Sequence, residues 1–264
     1  MKKEIRVFFT ALMFFTRIPC PKWVDHSEEY LNKSSKYLPF IGWIVGGISG
    51  LVYFLCSYVL PHPIAILLSM AASIMVTGAF HEDGLADVCD GFGGGWTKEK
   101  ILLIMKDSRI GAFGAIGIVM ALLIKYTSIV SFSVEKPIIV VCVLIIGHSI
   151  SRFAAITFLV THEYARDDAN SKSKPLATKL SNGGLVAAFI FGVLPLVAFS
   201  TYLKEYNLMS LILPVYITKM LLGRFYKKWI GGYTGDCLGA TQQICEVVFY
   251  LSFIAYGNIF NPAY

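Results

Sequence analysis

Three aspartates, Asp83, Asp87 and Asp90, stand four and three residues apart in the stretch HEDGLADVCDGFGGGW (81–96). On a helix turning about 100° per residue they fall within about 60° of one another, on one face. Like charges so placed repel, and a divalent cation is the simplest compensation. Carboxylate oxygens suit magnesium, which takes one or two carboxylates and completes its shell with water and substrate phosphates. The three are therefore candidate metal ligands. Glu82 points about 100° away from Asp83 and reads as a flanking charge. His81 reads as a base, a phosphate partner or an interfacial side chain. The run Gly91-Phe92-Gly93-Gly94-Gly95 is expected to end the helix, and Gly93 and Gly94 to offer backbone N–H groups to a phosphate. No GK[ST] follows, so the run is not a P-loop.

Further candidates sit in other connections. In KDSRIGAFGAIG (106–117), Asp107 and Arg109 bracket Ser108, and an arginine there can grip a phosphate through two parallel hydrogen bonds. In GGYTGDCLGATQQ (231–243), Asp236 lies between glycines beside Thr234, as a fourth carboxylate or a partner for a substrate hydroxyl. In HEYARDDANSKSKPLA (162–177), Arg166 and Lys174 are candidate phosphate contacts, with a solvated loop as the alternative. Arg152 is expected about eight residues, roughly 12 Å, inside an apolar block, with His148 one turn deeper on the same face. Charge at such depth is expensive and faces a polar cavity, so Arg152 joins the substrate contacts. Lys125 and Lys219 are expected to reach the interface along their own stems and to need no function. Clustered carboxylates with phosphate-gripping bases suit metal-assisted transfer at a phosphate ester or diphosphate.

The chain that positions these residues has 264 residues, 56% of them apolar and 15% charged. Soluble domains average about 25% charged. The mean hydropathy is +0.64, which excludes a disordered, collagen-like or ordinary water-soluble chain. Seven apolar stretches, at about 37–60, 64–80, 110–134, 137–160, 184–203, 207–223 and 244–260, approach or reach the roughly 17–25 residues that span a bilayer. Of 23 Lys and Arg residues, seven lie in 1–36, and four, four and three lie in the long connections 81–109, 161–183 and 224–243. The short connections and the tail hold two. This asymmetry predicts that the N-terminus and all three long connections are cytoplasmic, and that any active site opens there. The net charge of +6 lies between apolar blocks, so it does not imply nucleic acid. Residues 1–20 read as an amphipathic or re-entrant opening helix, since Arg17 interrupts the apolar run and no small-residue cleavage site follows. The six cysteines form no CxxC pair and are expected to be reduced thiols. The expected architecture is an all-α polytopic integral membrane protein of about seven transmembrane helices, a single catalytic domain over 1–264.

FFTRIP (14–19), YLPFIGWIVG (37–46), HEDGLADVCDGFGGG, KDSRIGAFG and GGYTGDCLGA occur in this order along the chain. In these segments, which span most of its length, the sequence resembles the cobalamin synthase family of adenosylcobinamide-GDP ribazoletransferases. The resemblance implies the last steps of cobalamin biosynthesis in a bacterial or archaeal cell membrane. α-Ribazole, or its 5′-phosphate, would attack the cobinamide-bearing phosphate of adenosylcobinamide-GDP, releasing GMP and giving adenosylcobalamin or its 5′-phosphate. Asp83, Asp87 and Asp90 would hold magnesium on the diphosphate. Asp107 or Asp236 would accept the hydroxyl proton, and Arg109 with Arg152 would stabilise the leaving phosphate.

Three other readings stay open. A CDP-alcohol-type lipid phosphotransferase should continue from Asp83-Gly84 with an Arg after Ala86, where Asp87 stands instead. A membrane prenyltransferase needs a second aspartate-rich motif, for which Asp236 is thin support. A cation transporter predicts acids near the bilayer midplane, whereas the acidic residues concentrate in the cytoplasmic segments.

The basic asymmetry predicts the outcome of labelling intact cells. An impermeant thiol reagent added outside should miss a cysteine introduced near Ser173. Labelling there would overturn both the topology and the shared active-site face.

Overall fold

The computed structural model of the chain describes residues 2–24, 27–132, 136–165 and 179–260. Arg166 and Lys174 lie outside the described residues. Within them every regular element is helical: α1 (Lys2–Phe15), α2 (Glu28–Ser34), α3 (Leu38–Cys56), α4 (His62–Thr77), α5 (Phe80–Gly94), α6 (Lys98–Ile104), α7 (Ala112–Val130), α8 (Pro137–Ile156), α9 (Phe158–Thr161), α10 (Asn182–Leu203), α11 (Ile212–Ile230) and α12 (Gly235–Phe260). Six helical stretches are long and apolar enough to cross a bilayer: Glu28–Cys56, Ala112–Val130, Pro137–Thr161, Asn182–Leu203, Tyr206–Ile230 and Gly235–Phe260. The outward faces of α7, α10 and α11 expose Ile116, Val119, Leu123, Phe189, Ile190 and Leu221, apolar surface suited to lipid. The chain is an all-α polytopic membrane protein. α1 turns Val7, Ala11, Leu12 and Phe15 inward, as an amphipathic opening helix should.

Two expected spans take a different form. The second is broken: α4 ends at Thr77 and the chain bends by 88° into α5, so a seventh span exists only if the two helices are taken together. Gly78 (φ 65°) and Ala79 (φ 58°) both adopt the left-handed conformation. Glycine does so freely, while an alanine is strained there by about 1–2 kcal/mol. Their N–H groups donate to the Met75 and Ile74 carbonyls at 3.2 and 3.0 Å, closing α4. The Arg17 N–H donates to the Val76 carbonyl at 2.7 Å and fastens the segment after α1 to this corner. The acidic helix is thus a separate element nearly perpendicular to α4. The last span is longer than the stretch 244–260, because α12 begins at Gly235 and puts Asp236 in its first turn rather than in a loop.

α8 is the central helix, buried along most of its length. α3 lies against it through Gly42, Gly46 and Gly50, spaced four apart. A Cβ on Gly46 would lie 2.7 Å from the Ile145 Cα, and one on Gly50 2.8 Å from the Val141 side chain. Lipid tails are as apolar as leucine, so close van der Waals contact between backbones drives such packing in a membrane. Two apolar cores result. One gathers α1, α5, α6, the end of α8 and the start of α12, around Phe15, Ile101, Phe158 and Leu238. The other gathers parts of α3, α4, α7, α8, α10, α11 and α12, around Tyr53, Ile129, Leu144 and Phe249. A belt of polar side chains separates them.

The α3–α8 contact predicts a sharp positional contrast. Gly46→Leu should lower the thermal midpoint in detergent, by overpacking of about 1–3 kcal/mol or more. Gly47→Leu, whose Cβ meets nothing within 4 Å, should leave it nearly unchanged. Equal losses from the two would count against the close approach.

Candidate active site

The two motifs richest in candidate residues, about 150 residues apart in sequence, meet where α5 crosses α12. A Cβ on Gly84 would lie 2.9 Å from the Asp236 carbonyl oxygen and 3.1 Å from its Cα. One on Gly239 would lie 3.1 Å from the His81 carbonyl oxygen and 3.4 Å from the Gly84 Cα. Any larger residue would push the helices apart. Asp83 precedes the crossing point and Asp87 follows it by one turn, so both flank the α5 segment that touches Asp236. Asp83 is exposed, and Asp87 and Asp236 are half-buried. The second and third long connections meet beside them. The Tyr233 N–H donates to the Glu163 carbonyl at 3.0 Å and the Ala165 N–H to the Tyr233 carbonyl at 2.8 Å, forming an isolated parallel bridge.

Asp90 is turned to a different task. Its Oδ2 accepts the Gly111 N–H at 2.7 Å and its Oδ1 the Gly114 N–H at 2.8 Å. Gly111 has no side chain with which to cap α7, and Asp90 supplies the cap from α5. Its negative charge also suits the positive end of the α7 dipole. The same contact anchors the loop that carries Asp107 and Arg109. Arg109 grips Asp107 with Nε on Oδ1 at 3.0 Å and Nη2 on Oδ2 at 2.7 Å, while its guanidinium stays largely in solvent. These bonds hold the Asp107 carboxyl down at about 2. Its charge is therefore lost only as pH falls through about 2, and near neutrality it is a weak proton acceptor.

Among the described residues, no group of three or more His, Cys, Asp or Glu side chains is gathered to hold a metal alone. The three aspartates share α5, but Asp90 faces α7. The oxygen-only donors Asp83 and Asp87, with Asp236 adjacent, fit a magnesium ion whose shell is completed by water and substrate phosphates. They do not form a closed protein cage.

Four other candidates have different surroundings from those expected. Gly93 and Gly94 lie inside α5, which runs to Gly94 rather than ending before them. Their N–H groups then serve the helix's own ladder, and a Cβ on Gly93 would strike the Phe113 ring at 2.5 Å. Helix packing explains Gly93, and Gly94 is the exposed last residue of the helix. Thr234 is fully buried. Its Oγ1 accepts the Cys237 N–H at 3.3 Å and donates to Asp236 Oδ2 at 3.4 Å, so it caps α12 and orients Asp236. Arg152 is 1% exposed and belongs to the polar belt, not to the Arg109 surface.

The belt is built around Glu246, a residue the sequence reading passed over. Glu246 is 0% exposed. Its Oε1 meets Lys125 Nζ at 2.6 Å and accepts the Tyr250 hydroxyl at 3.0 Å. Its Oε2 accepts Gln242 Nε2 at 2.5 Å and lies 3.3 Å from His148 Nδ1. Arg152 Nη1 binds His148 through Nδ1 at 3.0 Å and through its carbonyl at 2.9 Å. Gln243 Nε2 bonds Gln242 Oε1 and Glu82 Oε1, each at 2.9 Å. The belt thereby joins α7, α8 and α12 to α5. Two expectations change: Lys125 does not reach an interface, and Glu82 is a buried anchor rather than a flanking charge. Lys219 instead follows its stem toward the end of α9, donating to Thr161 Oγ1 at 2.8 Å. The available signal was an ionisable residue inside an apolar run, with Gln242, Glu246 and Tyr250 spaced four apart on one helical face.

The cobalamin-5-phosphate synthase family model matches residues 7–254. The adenosylcobinamide-GDP ribazoletransferase of Shewanella frigidimarina is 45% identical over 255 residues, 97% of this chain and 96% of the relative. The proteins of the same name from Shewanella oneidensis and Shewanella baltica are 44% and 43% identical over 257 residues, 97% of each chain. No solved structure matches. The chain belongs to the cobalamin-5-phosphate synthase family.

The belt predicts strong coupling between its charges. Glu246→Leu leaves Lys125 and His148 without their carboxylate and should cost about 3–5 kcal/mol. Adding Lys125→Met should restore part of that loss in thermal unfolding. Additive losses from the two changes would mean that the pair does not interact as the distances imply.

Proposed function

We propose that this member of the cobalamin-5-phosphate synthase family is an adenosylcobinamide-GDP ribazoletransferase. It joins adenosylcobinamide-GDP and α-ribazole, or its 5′-phosphate, into adenosylcobalamin or its 5′-phosphate, with release of GMP. The observation that carries the reading is the crossing at Gly84 and Gly239, which sets Asp236 against the α5 segment bearing Asp83 and Asp87. The whole chain acts as a single catalytic domain in the cell membrane. Its active site faces the cytoplasm, since the basic residues concentrate in the connections that meet there.

The acceptor hydroxyl oxygen attacks the cobinamide-bearing phosphorus, and the bridging oxygen leaves with GMP. Asp236 takes the hydroxyl proton, since the grip of Arg109 holds the Asp107 carboxyl low and makes it a poor base. Thr234 holds the Asp236 carboxylate in orientation. Asp83 and Asp87 would hold magnesium, which offsets diphosphate charge when bound. Arg109, on the loop fixed by Asp90, neutralises charge on the departing phosphate. Asp90 supports this arrangement by positioning α7 rather than by holding the metal.

Purified protein given adenosylcobinamide-GDP, α-ribazole and magnesium should form a cobalamin and GMP in equal amounts. A hydrolase would release GMP without ribazole, and a transporter would release none. Asp83→Asn and Asp87→Asn should each greatly lower turnover and raise the magnesium requirement. Near-normal rates at ordinary magnesium in both would remove them from the metal site. Arg109→Ala should slow transfer about ten- to a hundredfold with the magnesium dependence nearly intact. Arg109→Lys should recover part of the loss, since a point charge does not reproduce two parallel hydrogen bonds. Transfer at the parent rate would reduce Arg109 to a membrane anchor.

A further inference from the structure

Beside the bridge that joins the second and third long connections lies a polar, half-open cavity of about 410 Å³, lined by Thr161, His162, Glu163, Lys227 and Gly231 among others. Gly231 is five residues before Asp236 in sequence, and Tyr233, which forms the bridge to Tyr164, lies between them. Lys227 lines it and is exposed. Lys98 reaches its rim from α6, with Nζ 3.8 Å from where a Cβ on Gly231 would lie. Lys219 lies behind the wall, 5% exposed, donating to Thr161 Oγ1 at 2.8 Å and lying 4.6 Å from the Phe158 ring centre. Among the described residues, neither Lys98 nor Lys227 enters an ion pair, and Glu163 is the one acid in the lining.

Lys227 thus lines a concave polar space, with Lys98 near its rim, Lys219 behind its wall, and Glu163 as the one acid among the described lining residues. The field is felt by His162, whose pKa is lowered by burial and then by Lys219 and Lys227. His162 Nδ1 lies 2.9 Å from Thr161 Oγ1, which also accepts from Lys219, so the wall is tied together. Ammonium groups that have no carboxylate partner among the described residues attract a compact, multiply charged anion.

We propose that this cavity seats a phosphate monoester belonging to one of the reacting molecules, with Lys227 and Lys98 as its direct contacts. The inference rests on the ribazoletransferase reading, in which two species carry such a group: a phosphorylated acceptor before transfer, and the nucleotide monophosphate after it. The cobinamide substrate offers a diphosphate diester and no monoester, so the cavity discriminates by charge at a chain end.

The test is made on purified full-length protein and on Lys227→Gln and Lys98→Gln. Calorimetric titration with GMP and with α-ribazole 5′-phosphate reads binding without turnover. For at least one of these ligands, each variant should weaken binding by about tenfold, while unphosphorylated α-ribazole binds as to the parent. Weakening confined to α-ribazole 5′-phosphate assigns the cavity to the acceptor. The ratio of the KM values of the two acceptors should then fall by a similar factor. Weakening confined to GMP assigns it to the departing nucleotide. Unchanged binding of both monoesters in both variants overturns the proposal, and so does equal weakening with unphosphorylated α-ribazole. A protein that binds the monoesters through these lysines yet forms no cobalamin would instead overturn the ribazoletransferase reading and leave the anion site standing.

Discussion

A carboxylate buried between two apolar cores has to be paired, and the pairing of Glu246 organises the rest of this membrane domain. An uncompensated charge at that depth costs several kcal/mol. Glu246 is met by Lys125 from α7, His148 from α8, and Gln242 and Tyr250 from its own helix. Lys125, His148 and Glu246 itself each sit on a separate span, so the ionic cluster fixes the rotation and depth of three helices at once. Van der Waals packing alone would do this poorly, because lipid offers each apolar face an equally apolar neighbour. The polar belt supplies direction, and the glycine stripe of α3 on α8 supplies closeness.

The cluster also reaches the chemistry. Gln243 passes the chain of hydrogen bonds to Glu82, the residue immediately before Asp83. α5 is therefore pinned to α12 twice, by Glu82 through Gln243 and by the contact of Gly84 with Gly239. Two points of attachment define a register, and the register sets which α5 residues adjoin Asp236. α5 is released from α4 by the left-handed pair Gly78 and Ala79, which lets it follow α12 rather than continue straight from the preceding span. Asp90 then carries the order outward to the start of α7 and the Asp107–Arg109 loop.

The general architecture was legible because a bilayer imposes lengths. Apolar blocks of about 20 residues and a one-sided distribution of Lys and Arg follow from solvent, not from tertiary detail. What eluded the sequence depends on contacts between distant elements. GGYTGDCLGATQQ reads as a loop from its glycines and polar residues, yet Thr234 caps a helix there and the polar side chains of Gln242 and Gln243 point into a buried belt. Asp90 looks like a third metal ligand by its helical phase alone. Nothing local reveals that two backbone N–H groups, 21 and 24 residues away, occupy its oxygens. Lys125 looked like an interfacial lysine because its partner, Glu246, lies in another span. The family resemblance pointed to the same segments, and the structure separates those half-buried or exposed at the α5–α12 crossing from those that pack or cap neighbouring helices.

This separation bears on how a protein with few exposed carboxylates handles a highly charged substrate. A closed cage of three aspartates would bind magnesium whether or not a diphosphate were present. With Asp90 engaged by α7, the proposed metal site draws on Asp83 and Asp87 of α5, and water and phosphate oxygens would complete a magnesium shell there. In the proposed reaction metal and diphosphate would then bind as a coupled pair, because each lowers the charge repulsion that opposes the other. Placing Asp83 and Asp87 on a rigid helix, rather than on a loop, keeps the entropic cost of assembling that pair low. The most deeply buried charged groups lie instead in the polar belt. Glu246 pairs with Lys125 and lies against His148, which in turn holds Arg152, and the rigidity of this cluster helps keep the aspartates of α5 in register.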